Sequence, residues 1–208
     1  KKYNLEISAL SCHGNPVHPN KEIAEGYHNV FVDTCRLAQM LGVDTVITFS
    51  GCPGDCEESK RPNWVTCAWP NEYGEILEWQ WNEVLIPYWK KAAEIAKSYG
   101  VKKIAFEMHP GFCVYNPETL LRLRKAVGDI IGANFDPSHL IWQGIDPVAA
   151  LRELKGAVYH FHAKDTRVDK YNTAVNGVLD TKSFTDLGGR SWVFRTVGHG
   201  TDTKLWKD

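Results

Sequence analysis

Short apolar runs along this chain alternate with longer stretches whose apolar residues recur at three and four, a pattern of strands alternating with helices. LEISALSC predicts a first strand over residues 5–12, and DTVITFS a second over residues 44–50. Between them Ile23, Tyr27, Val30, Phe31, Thr34, Leu37, Ala38 and Leu41 keep helical spacing, predicting an amphipathic helix over Lys21–Leu41. Asn20 suits its N-cap and Gly42 its C-terminal stop. Residues 51–74, rich in Pro, Gly, Asn, Cys and Trp, predict a long loop of the lid or binding kind. A second helix is expected over residues 75–99, kinked at Pro87. VKKIAFEMH, IIGANFD, GAVYHFHA and SWVFRTV supply four more strands, with helical pieces at residues 118–127 and 147–154.

Six strands, all but the last followed by a crossover segment, predict one α/β domain over residues 1–208. A closed parallel barrel needs eight strands and typically about 250 residues. The expectation is therefore a (β/α)8 barrel without its first and last βα units, an open doubly wound sheet being the alternative.

The charge balance is 24 Lys and Arg against 25 Asp and Glu, so no basic surplus favours nucleic acid. No run is long and apolar enough for a membrane span, and no signal-peptide pattern opens the chain. The six cysteines are scattered through strand, helix and loop rather than laddered, which predicts reduced thiols and a cytoplasmic setting. CPGDC wraps a Pro-Gly turn without a second Cys/His pair at finger spacing, and reads as a turn rather than a zinc site.

The chemistry gathers at strand ends. Glu107 closes VKKIAFE, Asp136 closes IIGANFD and His162 closes VYHFH. In a parallel barrel these positions converge at the C-terminal mouth, where such folds place their sites. Strand alternation puts Ala105, Glu107 and His109 on one face and Phe106 and Met108 on the other; Asn134 joins Asp136, and His160 joins His162. A hard, oxygen-rich set with one imidazole suits Mn²⁺, Mg²⁺, Co²⁺ or Zn²⁺. Around it, His13 lies at the end of the first strand, with His18 farther out. His139 follows Asp136 by one turn, where it either contacts substrate or caps its own turn. His160 is either a site residue or a satisfied core histidine. Lys164 and Arg167 offer cations for an enolate-like oxygen or an anionic group, or are solvated loop residues. Trp64 and Trp69 of the long loop are candidates for covering a sugar ring, although with eight tryptophans any one also serves packing. Gly198-His199-Gly200 lacks the context of a nucleotide loop.

SALSCHGNPVHP, FEMHPGFCVYNPETL, NFDPSHLIWQGIDP, YHFHAKDT and FRTVGHG together resemble the xylose-isomerase-like barrel family of sugar and sugar-phosphate isomerases and epimerases, over essentially the whole chain. The resemblance implies one divalent cation, with Glu107, Asp136 and His162 matching three of four usual ligands. The fourth, a Glu on the last strand, has no counterpart here. It also implies a small sugar or polyol as substrate, a homo-oligomer, and Glu107 as base or conjugate acid in forming an enediolate. His13, Trp69, His109, His139, His160, Lys164 and Arg167 would then contact substrate. Two departures count against a plain ketose 3-epimerase: Cys113 stands where some carry a Glu, and Arg167 is five rather than six residues past His162.

The same site would support dehydration of an inosose-like keto-polyol. Endonucleases acting at abasic sites share the fold and the Asp-x-x-His feature, but need an Asp-x-His pair that does not occur after His162. A truncated barrel that binds sugar without turnover is the non-enzymatic alternative.

Overall fold

The computed structural model describes residues 3–208. Strand β1 (Leu10–Ser11) leads to helix α1 (Lys21–Leu41) and strand β2 (Thr45–Thr48). After the long loop, helix α2 (Glu72–Trp79) runs through a π-helical stretch, Gln80–Leu85, into α3 (Ile86–Ser98). Then follow β3 (Lys103–Glu107), α4 (Pro117–Val127), β4 (Ile131–Phe135), α5 (Pro137–Ile141), α6 (Pro147–Glu153) and β5 (Val158–Phe161). The chain ends with β6 (Asp165–Val168), α7 (Lys170–Asn176) and β7 (Trp192–Arg195).

Among the described residues, β1 to β5 form one parallel sheet in strictly sequential order. Every crossover therefore advances in the same direction. A doubly wound sheet would reverse its order at a switch point, so the open alternative is excluded. The sheet also curls: Ser8, just before β1, lies 3.3 Å from His160 on β5. Four flat strand spacings would separate them by roughly 19 Å. The result is an arc of a (β/α) barrel.

The strands of this arc are buried on both faces where helices cover them, which is why β2, β3 and β4 read as nearly continuous apolar runs. Ile104, Phe106 and Ile131 face outward to a helical layer holding Phe31, Trp89, Ala92, Ala93, Ala96, Leu120 and Leu123. Trp89 anchors that layer, edge-on to Phe31, Tyr88 and Phe106, with its indole N–H donating to Ser50 O at 2.8 Å.

Helix α1 forms at the predicted residues, capped by the Asn20 side chain and stopped by Gly42 at φ 70°. Its buried face is offset from the predicted one: Phe31, Cys35 and Ala38 pack inward, while Ile23, Tyr27, Val30, Leu37 and Leu41 stay exposed. The sheet covers only part of an apolar stripe too wide for one contact. The predicted kink at Pro87 is realised as a change of helix type. A proline lacks an N–H and crowds the preceding turn, and just ahead of it the Ile86 N–H reaches back to Trp81 O, five residues away.

Two expectations about strands change. Of residues 5–12 only Leu10–Ser11 is strand. SWVFRTV does form a strand, but β7 pairs antiparallel with β6 outside the parallel sheet. The stretch Asp165–Val168 carries too little apolar character to announce itself as a strand partner.

Candidate active site

Strand register assembles the site before any side chain is considered. Glu107 on β3 stands opposite Asn134 on β4, and Asn134 opposite His160 on β5. Asp136, just past β4, caps α5, with its Oδ1 accepting from the Ser138 N–H and Oγ–H at 2.9 and 2.6 Å. That short helix turns His139 back over the sheet.

Glu107, Asp136 and His139, all buried, each offer one ligand atom, and these atoms lie within 4.8 Å of one another. Both oxygens of Glu107 are engaged: His139 Nε2 lies 3.0 Å from Oε1, and His13 Nε2 lies 3.0 Å from Oε2. His162 Nδ1 approaches Oε2 at 3.4 Å. Asp136 Oδ2 faces the Lys164 ammonium at 3.2 Å and His139 Nε2 at 3.5 Å. The same Lys164 Nζ lies 3.3 Å from His139 Nε2 and 4.1 Å from the centre of the Phe194 ring.

Burial would raise the Glu107 carboxyl's pKa, but the hydrogen bonds and charges of His13 and His139 outweigh it and hold Glu107 well below the ordinary carboxylate range. His109 moves the opposite way for an imidazole. Burial first, then the neighbouring His139, push it down to about 4, so it is neutral near pH 7. Its Nδ1 lies 2.6 Å from Pro110 O, an acceptor, so Nδ1 carries the proton and Nε2 keeps a lone pair. Two carboxylates and an imidazole make a mixed O/N set of the kind that holds a divalent cation. If His139 Nε2 is to serve as a ligand, its proton toward Glu107 must leave.

Asn134 ties this cluster together. Its amide N–H donates to Glu107 Oε2 at 3.3 Å and to His162 Nδ1 at 3.0 Å, while its oxygen accepts from His160 Nδ1 at 2.9 Å. Sequence alternation put Asn134 on the correct face but gave it no role. His160, only part-buried, is held between Asn134 and Ser8.

His13, His109, His139, His162 and Lys164 are brought together with Glu107 and Asp136. Trp69 and Arg167 are not. Trp69 is 78 % exposed, out on the long loop. Arg167 pairs with Val193 and points to solvent, because Asp165 and Thr166 take the buried positions of that strand. Trp64 of the same loop does reach the site region, against Tyr115.

A family profile described as the xylose isomerase-like TIM barrel matches residues 1–202, and the chain belongs to that family. Among curated proteins it is 47 % identical over 210 residues to the uncharacterized protein YfiH of Bacillus subtilis strain 168, covering 100 % of this chain and 67 % of YfiH. It is 26 % identical over 131 residues to the inosose dehydratase of Geobacillus kaustophilus, covering 62 % of this chain and 42 % of that protein. Among solved structures, a D-tagatose 3-epimerase-like protein superposes with a TM-score of 0.58 at 23 % identity, over 80 % of this chain and 58 % of that one. The chain thus spans about two thirds of its YfiH relative and less of the others. No helix among the described residues is long and apolar enough to cross a membrane.

Proposed function

We propose that the chain carries the site of a divalent-metal-dependent enzyme that isomerises or epimerises a small sugar or polyol by removing a proton next to a carbonyl. The observation that carries this reading is the buried convergence of Glu107, Asp136 and His139 within 4.8 Å, with His162 beside it. Glu107, Asp136 and one or both of these histidines would hold the cation, any of Mn²⁺, Mg²⁺, Co²⁺ or Zn²⁺. When bound, it supplies positive charge that polarises a carbonyl and acidifies the adjacent C–H.

That assistance matters to Glu107. As the base, Glu107 would take the proton from the carbon acidified in this way. Lys164 is placed to orient an oxygen beside Asp136, and the Nε2 lone pair of His109 to accept from a substrate hydroxyl. His13 orients the second oxygen of Glu107.

Glu107→Gln is expected to lose turnover by roughly 10²–10⁴ and to lose most bound Mn²⁺ in titration calorimetry. Near-normal turnover with near-normal metal content would refute the assignment.

Dehydration of an inosose-like keto-polyol is the second reading, favoured by the named Geobacillus kaustophilus relative and by the Lys164 ammonium next to the cluster, a proton source for a departing hydroxyl. NMR in D₂O separates the two: isomerisation or epimerisation leaves deuterium in a product of unchanged formula, whereas dehydration yields a product short of one water.

A further inference from the structure

We infer that Cys52 and Cys113 form a reversible disulfide when the protein meets a small hydroperoxide, tying the base of the 51–74 loop to the segment that leaves β3. The inference does not depend on the chemistry proposed for Glu107. The two segments already run side by side. The Cys113 N–H donates to Gly51 O at 3.0 Å, and the Val114 N–H donates to the Ser50 hydroxyl oxygen at 2.9 Å. Gly51 O is one peptide unit from the Cys52 Cα, so the first of these bonds holds the two cysteine Cα atoms within roughly 7 Å. That is the outer limit for bridging two cysteines without moving the backbone. Asn15 fixes Cys52 from its other side, its amide N–H donating to Cys52 O at 2.8 Å and its oxygen accepting from the Cys52 N–H at 3.0 Å. The side chains meet as well. Hydrogen bonding with the Cys52 thiol, followed by burial, pushes the Cys113 thiol well above its ordinary pKa.

Both cysteines are buried, yet Cys113 lines a cavity of about 170 Å³ together with Trp64, Tyr115 and Arg122. That space is several times the ~30 Å³ share of a water molecule in the liquid, so hydrogen peroxide fits. Among the described residues, Arg122 is the one cation lining it, and its charge favours the Cys113 thiolate, the form that attacks an oxidant. The Cys52 thiol and burial outweigh Arg122, so thiolate is scarce and the reaction is slow. In the first step the Cys113 sulfur attacks one peroxide oxygen. The O–O bond breaks, the other oxygen leaves as water with the thiol proton, and Cys113 becomes a sulfenic acid. The Cys52 sulfur then displaces the hydroxyl, which leaves as a second water with the Cys52 proton as the S–S bond forms. Two thiols give up two electrons and the peroxide takes them. Cys52 is thereby drawn from the Asn63 carbonyl, to which its Sγ–H donates at 3.3 Å.

The test uses the full chain with Cys56→Ser and Cys67→Ser, which removes the two exposed thiols. The protein is treated with hydrogen peroxide, its remaining thiols are blocked with N-ethylmaleimide in denaturant, and its peptides are mapped by mass spectrometry with and without dithiothreitol. Free thiols are expected to fall from four to two, with one dithiothreitol-sensitive peptide pair joining Cys52 to Cys113. Adding Cys52→Ser, which keeps a hydroxyl donor for Asn63 O, should abolish the pair and leave a Cys113 sulfenic acid that dimedone traps. Circular dichroism checks that this variant is folded. The inference is overturned if peroxide leaves both thiols open to N-ethylmaleimide, if Cys113 pairs with another cysteine, or if dimedone traps Cys113 equally with and without Cys52.

Discussion

Asn134 shows how one neutral side chain can set the state of three charged or chargeable ones. Its donor side serves Glu107 and His162, and its acceptor side serves His160, so each imidazole has a defined tautomer. Partners of this kind orient ligands and typically contribute 10- to 100-fold in metal affinity. Asn134→Ala should therefore weaken Mn²⁺ binding by roughly that factor while leaving the circular dichroism spectrum unchanged; unaltered affinity in calorimetry would count against the network. Residue-level chemistry was legible in sequence where it follows strand alternation: Glu107, Asp136, His109 and Asn134 share the inner face. His139 was harder, because its reach depends on a helix of five residues started by the Asp136 cap. Trp69 and Arg167 lie away from the cluster, a placement that residue type does not reveal in an irregular loop or a short strand.

At the scale of elements, the loop over residues 51–74 is held by a helix. Gln80, buried in the π-helical stretch, donates from its amide to Gly54 O at 2.8 Å and Asn63 O at 2.7 Å. Those carbonyls lie where the loop doubles back, with the Asn63 N–H donating to Pro53 O at 2.8 Å, and the loop delivers Trp64 to the pocket that it lines together with His109 and His139. Gln80→Ala would strand them, at about 1–3 kcal/mol, and hydrogen exchange should rise over residues 54–64 while α3 stays protected. Equal exchange in both proteins would show that the loop is held by other contacts. Strands β2 to β5 and helix α1 were readable because continuous apolar runs and three-four spacing survive in any context. The β6–β7 pair was not, because its register joins Asp165 to Arg195 across thirty residues and rests on no local pattern.

For the molecule as a whole, Asp165 joins parts that the parallel sheet does not. Its fully buried carboxylate accepts from the N–H groups of Thr166, Gly198, Gly200 and Thr201, from the Thr201 hydroxyl and from the Trp206 indole. Gly200 permits the approach, since a Cβ there would meet the Thr166 backbone at 2.5 Å. Burial alone would raise the Asp165 pKa, but the donated hydrogen bonds outweigh it and hold the group below its ordinary value. A carboxyl lowered by folding stabilises the native state above its unfolded pKa, and that contribution is lost as pH falls through the lower folded value. Asp165→Asn should therefore reduce stability by about 1–3 kcal/mol near neutral pH, and its difference in melting temperature from the native protein should shrink toward acid. A difference that stays constant across that range would contradict the clamp.

Lys164 immediately precedes Asp165, and its ammonium completes the cluster against Asp136. The donors that fix Asp165 lie up to 41 positions further along. During synthesis on the ribosome, Glu107, Asp136 and His139 can already be in place while those positions are still untranslated. Lys164 would then be the last of these groups to settle, so a nascent chain carries an unfinished site until the residues from Gly198 to Trp206 emerge.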